Sequence, residues 1–108
     1  MHFIHTIFLI LSIVFFATNV SSQEEYTYLT IDEKNLFPEG VTLDSKGNLY
    51  ISSFTKGKIV QVNITSQKHR DFTEAGQDGI MSSIGLFVDH QNNTLWVCSS
   101  DPGVSEFT

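Results

Sequence analysis

Gly40-Val41-Thr42-Leu43-Asp44, followed by Leu49-Tyr50-Ile51-Ser52-Ser53, is the stretch whose reading decides the fold. It is written twice. Gly85-Leu86-Phe87-Val88-Asp89 echoes the first run at an offset of 45, and Leu95-Trp96-Val97-Cys98-Ser99 echoes the second at an offset of 46. The extra residue falls in the connection His90-Gln91-Asn92-Asn93-Thr94. Short β-rich runs bounded by Gly, Asn and Asp read as strands joined by tight turns. In Asp44-Ser45-Lys46-Gly47-Asn48 the Gly and Asn supply the positive φ that such a turn needs.

Working outward, Ile59 to Ile64 alternates, with Ile59, Gln61 and Asn63 opposing Val60, Val62 and Ile64. Phe54-Thr55-Lys56-Gly57-Lys58 connects it to the preceding strand as a hairpin. His69 to Thr73 is a fourth, more polar strand. No stretch keeps an apolar i, i+3, i+4 rhythm over three turns. The fold class is therefore all-β, built from four-stranded antiparallel meanders. A repeat of roughly 40 to 50 residues made of four strands is a β-propeller blade. A blade cannot bury both of its faces alone, so each face carries apolar residues for a neighbour. On this reading Tyr50 and Trp96 fill the core between blades. Cys98, on the face of Trp96, acts as a small buried hydrophobe. Asp44 and Asp89 close each first strand and accept backbone hydrogen bonds in the turn that follows.

The chain has 108 residues, with 12 acidic and 6 basic side chains and a net charge of −6. An acidic chain with few scattered cations is a poor nucleic-acid binder, because that affinity rests on neutralising phosphates. One cysteine excludes an internal disulfide framework and a multi-cysteine zinc site. All charged residues lie beyond position 22. Residues 1–22 read as a secretory signal: apolar runs from Ile7 to Leu11 and Ile13 to Ala17, then the small residues Ser21 and Ser22, with a mature start at Gln23. The signal is expected to be helical. The rival reading is an uncleaved membrane anchor, for which the stretch is short. The expected location is extracellular, with no membrane contact after signal cleavage. Two sequons, Asn63-Ile64-Thr65 and Asn92-Asn93-Thr94, are candidate glycosylation sites in an exported chain.

Phe37-Pro38-Glu39-Gly40-Val41-Thr42-Leu43-Asp44, then Gly47-Asn48-Leu49-Tyr50-Ile51-Ser52-Ser53 and Gly57-Lys58-Ile59, resembles one blade of the gluconolactonase/regucalcin-like six-bladed propellers. Asp78-Gly79, Gly85 to Asp89 and Leu95 to Cys98 resemble the start of the next. The resemblance implies a calcium or zinc ion at the propeller axis and hydrolysis of a sugar lactone or similar small molecule. The metal polarises the carbonyl while a carboxylate helps activate water. It also implies that Glu39, immediately before the glycine that opens an inner strand, is a metal ligand. The bland reading of Glu39 is a solvated turn carboxylate after Pro38. The corresponding position of the second repeat is Ile84, which cannot ligate a metal, and one carboxylate does not make a calcium site. Asp78 is a weaker candidate, in a loop directed toward the central channel. His69 and His90 have no third partner and read as surface residues.

The expected organisation is a signal over 1–22, a lead-in over 23–34, a blade over 35–79 and an incomplete blade over 80–108. Val104 to Thr108 falls inside the third strand of the second unit. Repeat arrays need about three units to bury a continuous core. The chain alone is thus expected to be a fragment of a ring that needs further blades or self-association to close. Three functional expectations follow: a lactonase-type enzyme in the full-length form, a non-catalytic extracellular binding scaffold, or an inactive fragment.

Overall fold

The structure, a computed structural model, describes residues 26–106. The expected signal helix over 1–22 lies outside the described residues. Six strands follow in order: β1 Pro38–Leu43, β2 Asn48–Ser53, β3 Ile59–Asn63, β4 His69–Asp71, β5 Ser82–Asp89 and β6 Thr94–Ser100. The first four form one antiparallel sheet in sequential order, and β5 and β6 form a second. A single 3-10 turn, Gln77–Gly79, joins them. The four strands expected of the first unit and the first two of the second are present. The polar fourth strand is shorter than expected because Thr73 turns inward, its Oγ1 accepting from the Ile59 backbone N–H at 2.9 Å.

The two halves share one register. Val41, Thr42 and Leu43 face Ile51, Tyr50 and Leu49. Leu86, Phe87 and Val88 face Val97, Trp96 and Leu95 in the same way. Each pair is interrupted at the same place: Glu39 and Gly40 together oppose Ser52, and Ile84 and Gly85 together oppose Cys98. These are β-bulges, one extra residue on the inner strand, and they bend the strand and re-aim its side chains. The repeat seen in the sequence is therefore a repeat of backbone geometry, bulge included.

Side-chain alternation divides the first sheet into two faces. One carries Leu49, Ile51, Val60 and Val62, covered by Leu29 and Ile31 of the lead-in and by Leu36. The other carries Tyr50 and Ile59, which meet Val88, Leu86, Leu95 and Val97 of the second sheet. Ile59, Val60 and Val62 are essentially inaccessible to solvent. Each such side chain contributes roughly 1.5–3 kcal/mol on burial. Tyr50 is in the inter-blade core as expected. Trp96 is not: it is 62% exposed, and Cys98 is exposed as well. Strand alternation explains both corrections. Leu95 and Val97 point to the first sheet, so Trp96 and Cys98 point away from it, where no described residue covers them.

Ion pairs pin the lead-in. Lys58 Nζ lies 2.7 Å from Glu33 and 2.8 Å from Asp71, and Lys56 Nζ lies 3.0 Å from Glu33. Lys58 is buried, so its charge needs both carboxylates. The segment 104–106, expected within a third strand of the second unit, is not a strand. It returns to the first blade instead, where the Glu106 N–H donates to the Thr55 carbonyl at 2.9 Å.

Gly40 has no positive φ, and its reason for being glycine is space. A Cβ there would stand 2.3 Å from the Ile84 carbonyl oxygen. Gly40→Ala is expected to cost about 1–3 kcal/mol by forcing the sheets apart, read as a lower midpoint in urea unfolding. Ser82 and Ser83 carry buried hydroxyls without a hydrogen-bond partner among the described residues. Such an unmet hydroxyl costs about 1–3 kcal/mol. Ser83→Ala should leave the same midpoint unchanged or raise it.

Candidate functional site

The inner strands have two ends, and the sequence places chemistry at each. At the entry end lies the bulge of β1. Glu39 occupies it and is exposed. Its carboxylate takes no part in the ion pairs of the described residues, which involve Glu33, Asp71, Lys56 and Lys58. The adjoining position on β5 is Ile84, whose carbonyl oxygen lies over Gly40. Ser52 ties the two bulges together. Its Oγ accepts from the Gly40 N–H at 2.7 Å and donates to the Ile84 carbonyl at 2.9 Å. The hydroxyl is fully buried, so this bridge is protected from water.

Phe37 precedes this end with φ of 42°, a left-handed conformation that costs a non-glycine residue roughly 1–2 kcal/mol. It is held there because Leu36 is buried beneath and the Phe37 carbonyl accepts from the Phe54 N–H at 3.1 Å. Asp78 lies in the 3-10 turn, exposed, with φ of 53°. No group of three or more His, Cys, Asp or Glu among the described residues could hold a metal ion. A single exposed carboxylate does not fit a hard divalent cation, which takes six or more oxygens in the calcium case.

At the exit end Asp44 organises the first turn. Its Oδ1 accepts from the N–H groups of Lys46 at 2.8 Å and Asn48 at 2.9 Å. Its Oδ2 accepts from Asn48 Nδ2 at 2.8 Å and the Tyr50 hydroxyl at 3.1 Å. Gly47, at φ of 77°, makes the turn possible. Gln61 donates to the Tyr50 oxygen at 3.1 Å, and Asn63 Nδ2 donates to Asn48 Oδ1 at 3.1 Å. Phe72 stacks edge-on against Tyr50, ring centres 5.0 Å apart. Asp44, Lys46, Asn48, Tyr50, Gln61 and Phe72 line a cleft of about 250 Å³ between the sheets, closed on the far side by Val88 and Leu95. The four donors leave neither Asp44 oxygen free, so the cleft wall is structural. Asp89 repeats the device, accepting from Gln91, Asn92 and the Asn92 amide.

Both sequon asparagines are placed by these turns. Asn92 is exposed and its amide is engaged by Asp89. Asn63 ends β3, half-buried, with its amide engaged by Asn48. His69 and His90 are exposed, as expected. Sequence reasoning missed the bulges and the Lys58 ion-pair node. A lysine opening a strand between two apolar runs was the available signal for the node.

Residues 26–58 match the family model described as Beta-propeller repeat. The match runs from the lead-in through β1 and β2, and with the stacked sheets it supports a β-propeller architecture. It does not single out gluconolactonase-like propellers. No curated protein matches the chain.

Burial on its own raises the Asp44 carboxyl, but the donors of Asn48, Lys46 and Tyr50 outweigh it and hold the group at about 2, against an ordinary 3.8. The Asn92 side chain, then its backbone N–H, likewise hold Asp89 below its ordinary value. For Glu33, desolvation is outweighed by Lys58 and Lys56, and its carboxyl is lowered too. Lys58 is raised above 10.5, because Asp71 and Glu33 outweigh its desolvation. A depressed carboxyl contributes stability that is whole above its unfolded pKa and is lost as pH falls through the folded one. A raised lysine contributes stability that is whole below its unfolded pKa and is lost at higher pH. Thermal unfolding should therefore show a plateau flanked by an acid loss from about pH 4 to pH 2 and an alkaline loss above 10.5. Asp44→Ala should lower stability by about 1–2 kcal/mol, since the turn is only half-buried, and should flatten the acid limb.

Proposed function

We propose that the chain is an extracellular β-propeller module that works by binding and not by catalysis. The observation that carries this reading is the pair Glu39 and Ile84. They occupy equivalent bulge positions on adjacent inner strands. One offers a hard oxygen donor and the other a side chain that cannot ligate. Asp44 and Asp89, the other repeated carboxylates, are committed to their turns. A propeller scaffold with its repeated acids consumed internally has its sheet faces and strand ends left for partners. Export is supported by the apolar stretch of 1–22 and by the exposed sequon at Asn92.

The second reading is metal-dependent hydrolysis of a sugar lactone. It is favoured by one observation, the exposed Glu39 carboxylate next to the bulge glycine at the entry end of β1. The described residues do not complete a calcium or zinc site.

The full chain, assayed on sugar lactones with calcium or zinc, should show no more hydrolysis than its Glu39→Gln variant. Metal-dependent turnover that disappears in Glu39→Gln would replace the binding reading with the enzymatic one. Export has its own readout. Treatment with an N-glycosidase should shift the chain from eukaryotic cells on a gel, and Asn92→Gln should reduce the shift. An unshifted chain would count against passage through the secretory route.

A further inference from the structure

The contact between the two sheets has a specific recipe. The first blade offers Gly40, Thr42, Tyr50 and Ser52 on one face. The second blade brings to it Leu86, Val88, Leu95 and Val97, from β5 and β6 alone. The bulge carbonyl of Ile84 settles over Gly40, which must lack a Cβ.

The repeat copies most of each half of this recipe onto faces that are exposed or only partly covered; Ile59, which β3 adds to the contact, has no strand counterpart among the described residues of the second unit. The equivalents of Gly40, Thr42, Tyr50 and Ser52 are Gly85, Phe87, Trp96 and Cys98. Phe87 and Trp96 face each other across β5 and β6 and are 63% and 62% exposed. The equivalents of Leu86 and Val88 are Val41 and Leu43, 63% and 44% exposed. Those of Leu95 and Val97 are Leu49 and Ile51. The lead-in covers the outer part of that face, leaving Val41 at the margin of an open apolar groove with Phe37 and Ile51.

Gly85 belongs to the same repeated face. It has no positive φ, so no backbone conformation requires glycine there. A Cβ on it would meet only the Cys98 side chain, at 3.6 Å, which is an ordinary contact. Gly85 sits in the β5 bulge as Gly40 sits in that of β1, but among the described residues no backbone lies over it as the Ile84 carbonyl lies over Gly40. A glycine inside a strand marks a bulge or a place where another backbone comes close, and Gly40 is both. By the register of the repeat, the carbonyl that would lie over Gly85 belongs to the equivalent of Ile84, which is Glu39.

The geometry points to head-to-tail self-association: the Gly85–Phe87–Trp96–Cys98 face of one copy receives the Val41–Leu43–Ile51 face of a second copy, through the contact that already joins the two sheets within a chain. This is a heterologous interface, so copies add until a ring closes. The inference holds whether the closed ring binds or catalyses.

The test is the mass of the purified full chain by size-exclusion chromatography with light scattering. A discrete multiple of the monomer mass is expected. Gly85→Val should return it to the monomer with the circular dichroism spectrum unchanged. Trp96→Lys, on an exposed position, serves the same purpose should the valine disturb folding. In the Val41→Cys variant a short bis-maleimide should join the new thiol to Cys98 of another copy, giving a ladder on a denaturing gel. Adding Cys98→Ser should remove the ladder. A monomeric wild-type chain would overturn the proposal. So would an oligomer that survives both face variants, or a ladder that persists without Cys98.

Discussion

One buried hydroxyl and one missing methyl hold the two sheets in register. Ser52 Oγ takes the Gly40 N–H and gives its own proton to the Ile84 carbonyl, so the bulge of one inner strand is bonded to the bulge of the next. The contact is possible only because Gly40 presents no Cβ to that carbonyl. The aliphatic packing of Val88, Leu86, Leu95 and Val97 on Tyr50 and Ile59 supplies most of the free energy. It does not specify direction. Aliphatic contact is non-directional, so it does not by itself fix how far one sheet slides over the other. The bulge bridge fixes the slip, and with it the placement of Glu39 beside Ile84 at one end and of the Asp44 turn beside Val88 and Leu95 at the other.

The turns work as rigid ends for this assembly. Asp44 gathers four donors, and through Tyr50 and Asn48 its hydrogen bonds extend to Gln61 and Asn63 on β3. A single carboxylate thereby ties a turn to the outer half of its sheet. In the second unit Asp89 reaches only the turn itself. The position of Tyr50 is taken there by Trp96, which has no hydroxyl to return to the acid. The two repeats share backbone and register but not this polar brace.

Much of this was legible in the sequence. The strands are short, alternating and punctuated by Gly and Asn, and the echo of Gly40–Asp44 in Gly85–Asp89 announces the repeat. The turn role of the two aspartates followed from their position. The placement of Trp96 did not. Periodicity tells that Trp96 and Leu95 lie on opposite faces, but not which face has a neighbour, because that depends on how many sheets are stacked. The bulges escaped because an inserted residue shows only when both strands of a pair are aligned. The Lys58 node escaped because its partners, Glu33 and Asp71, come from segments on either side of the sheet and have no sequence spacing that betrays them. The surroundings of Glu39 were the least legible part: the residue could be located, but what adjoins it is set by a strand forty-odd residues away.

Lys58 also governs how the outer layer comes apart. Its ammonium is buried between Glu33 of the lead-in and Asp71 at the end of β4. If either segment peels away, the charge left behind keeps one carboxylate where it had two, in a place that water reaches poorly. The two most peripheral pieces of the first blade, distant in sequence, are thereby coupled into one cooperative unit of local opening. An edge strand of three exposed residues would otherwise fray on its own. Anchored in this way, it shares the protection of a segment that arrives before the sheet begins.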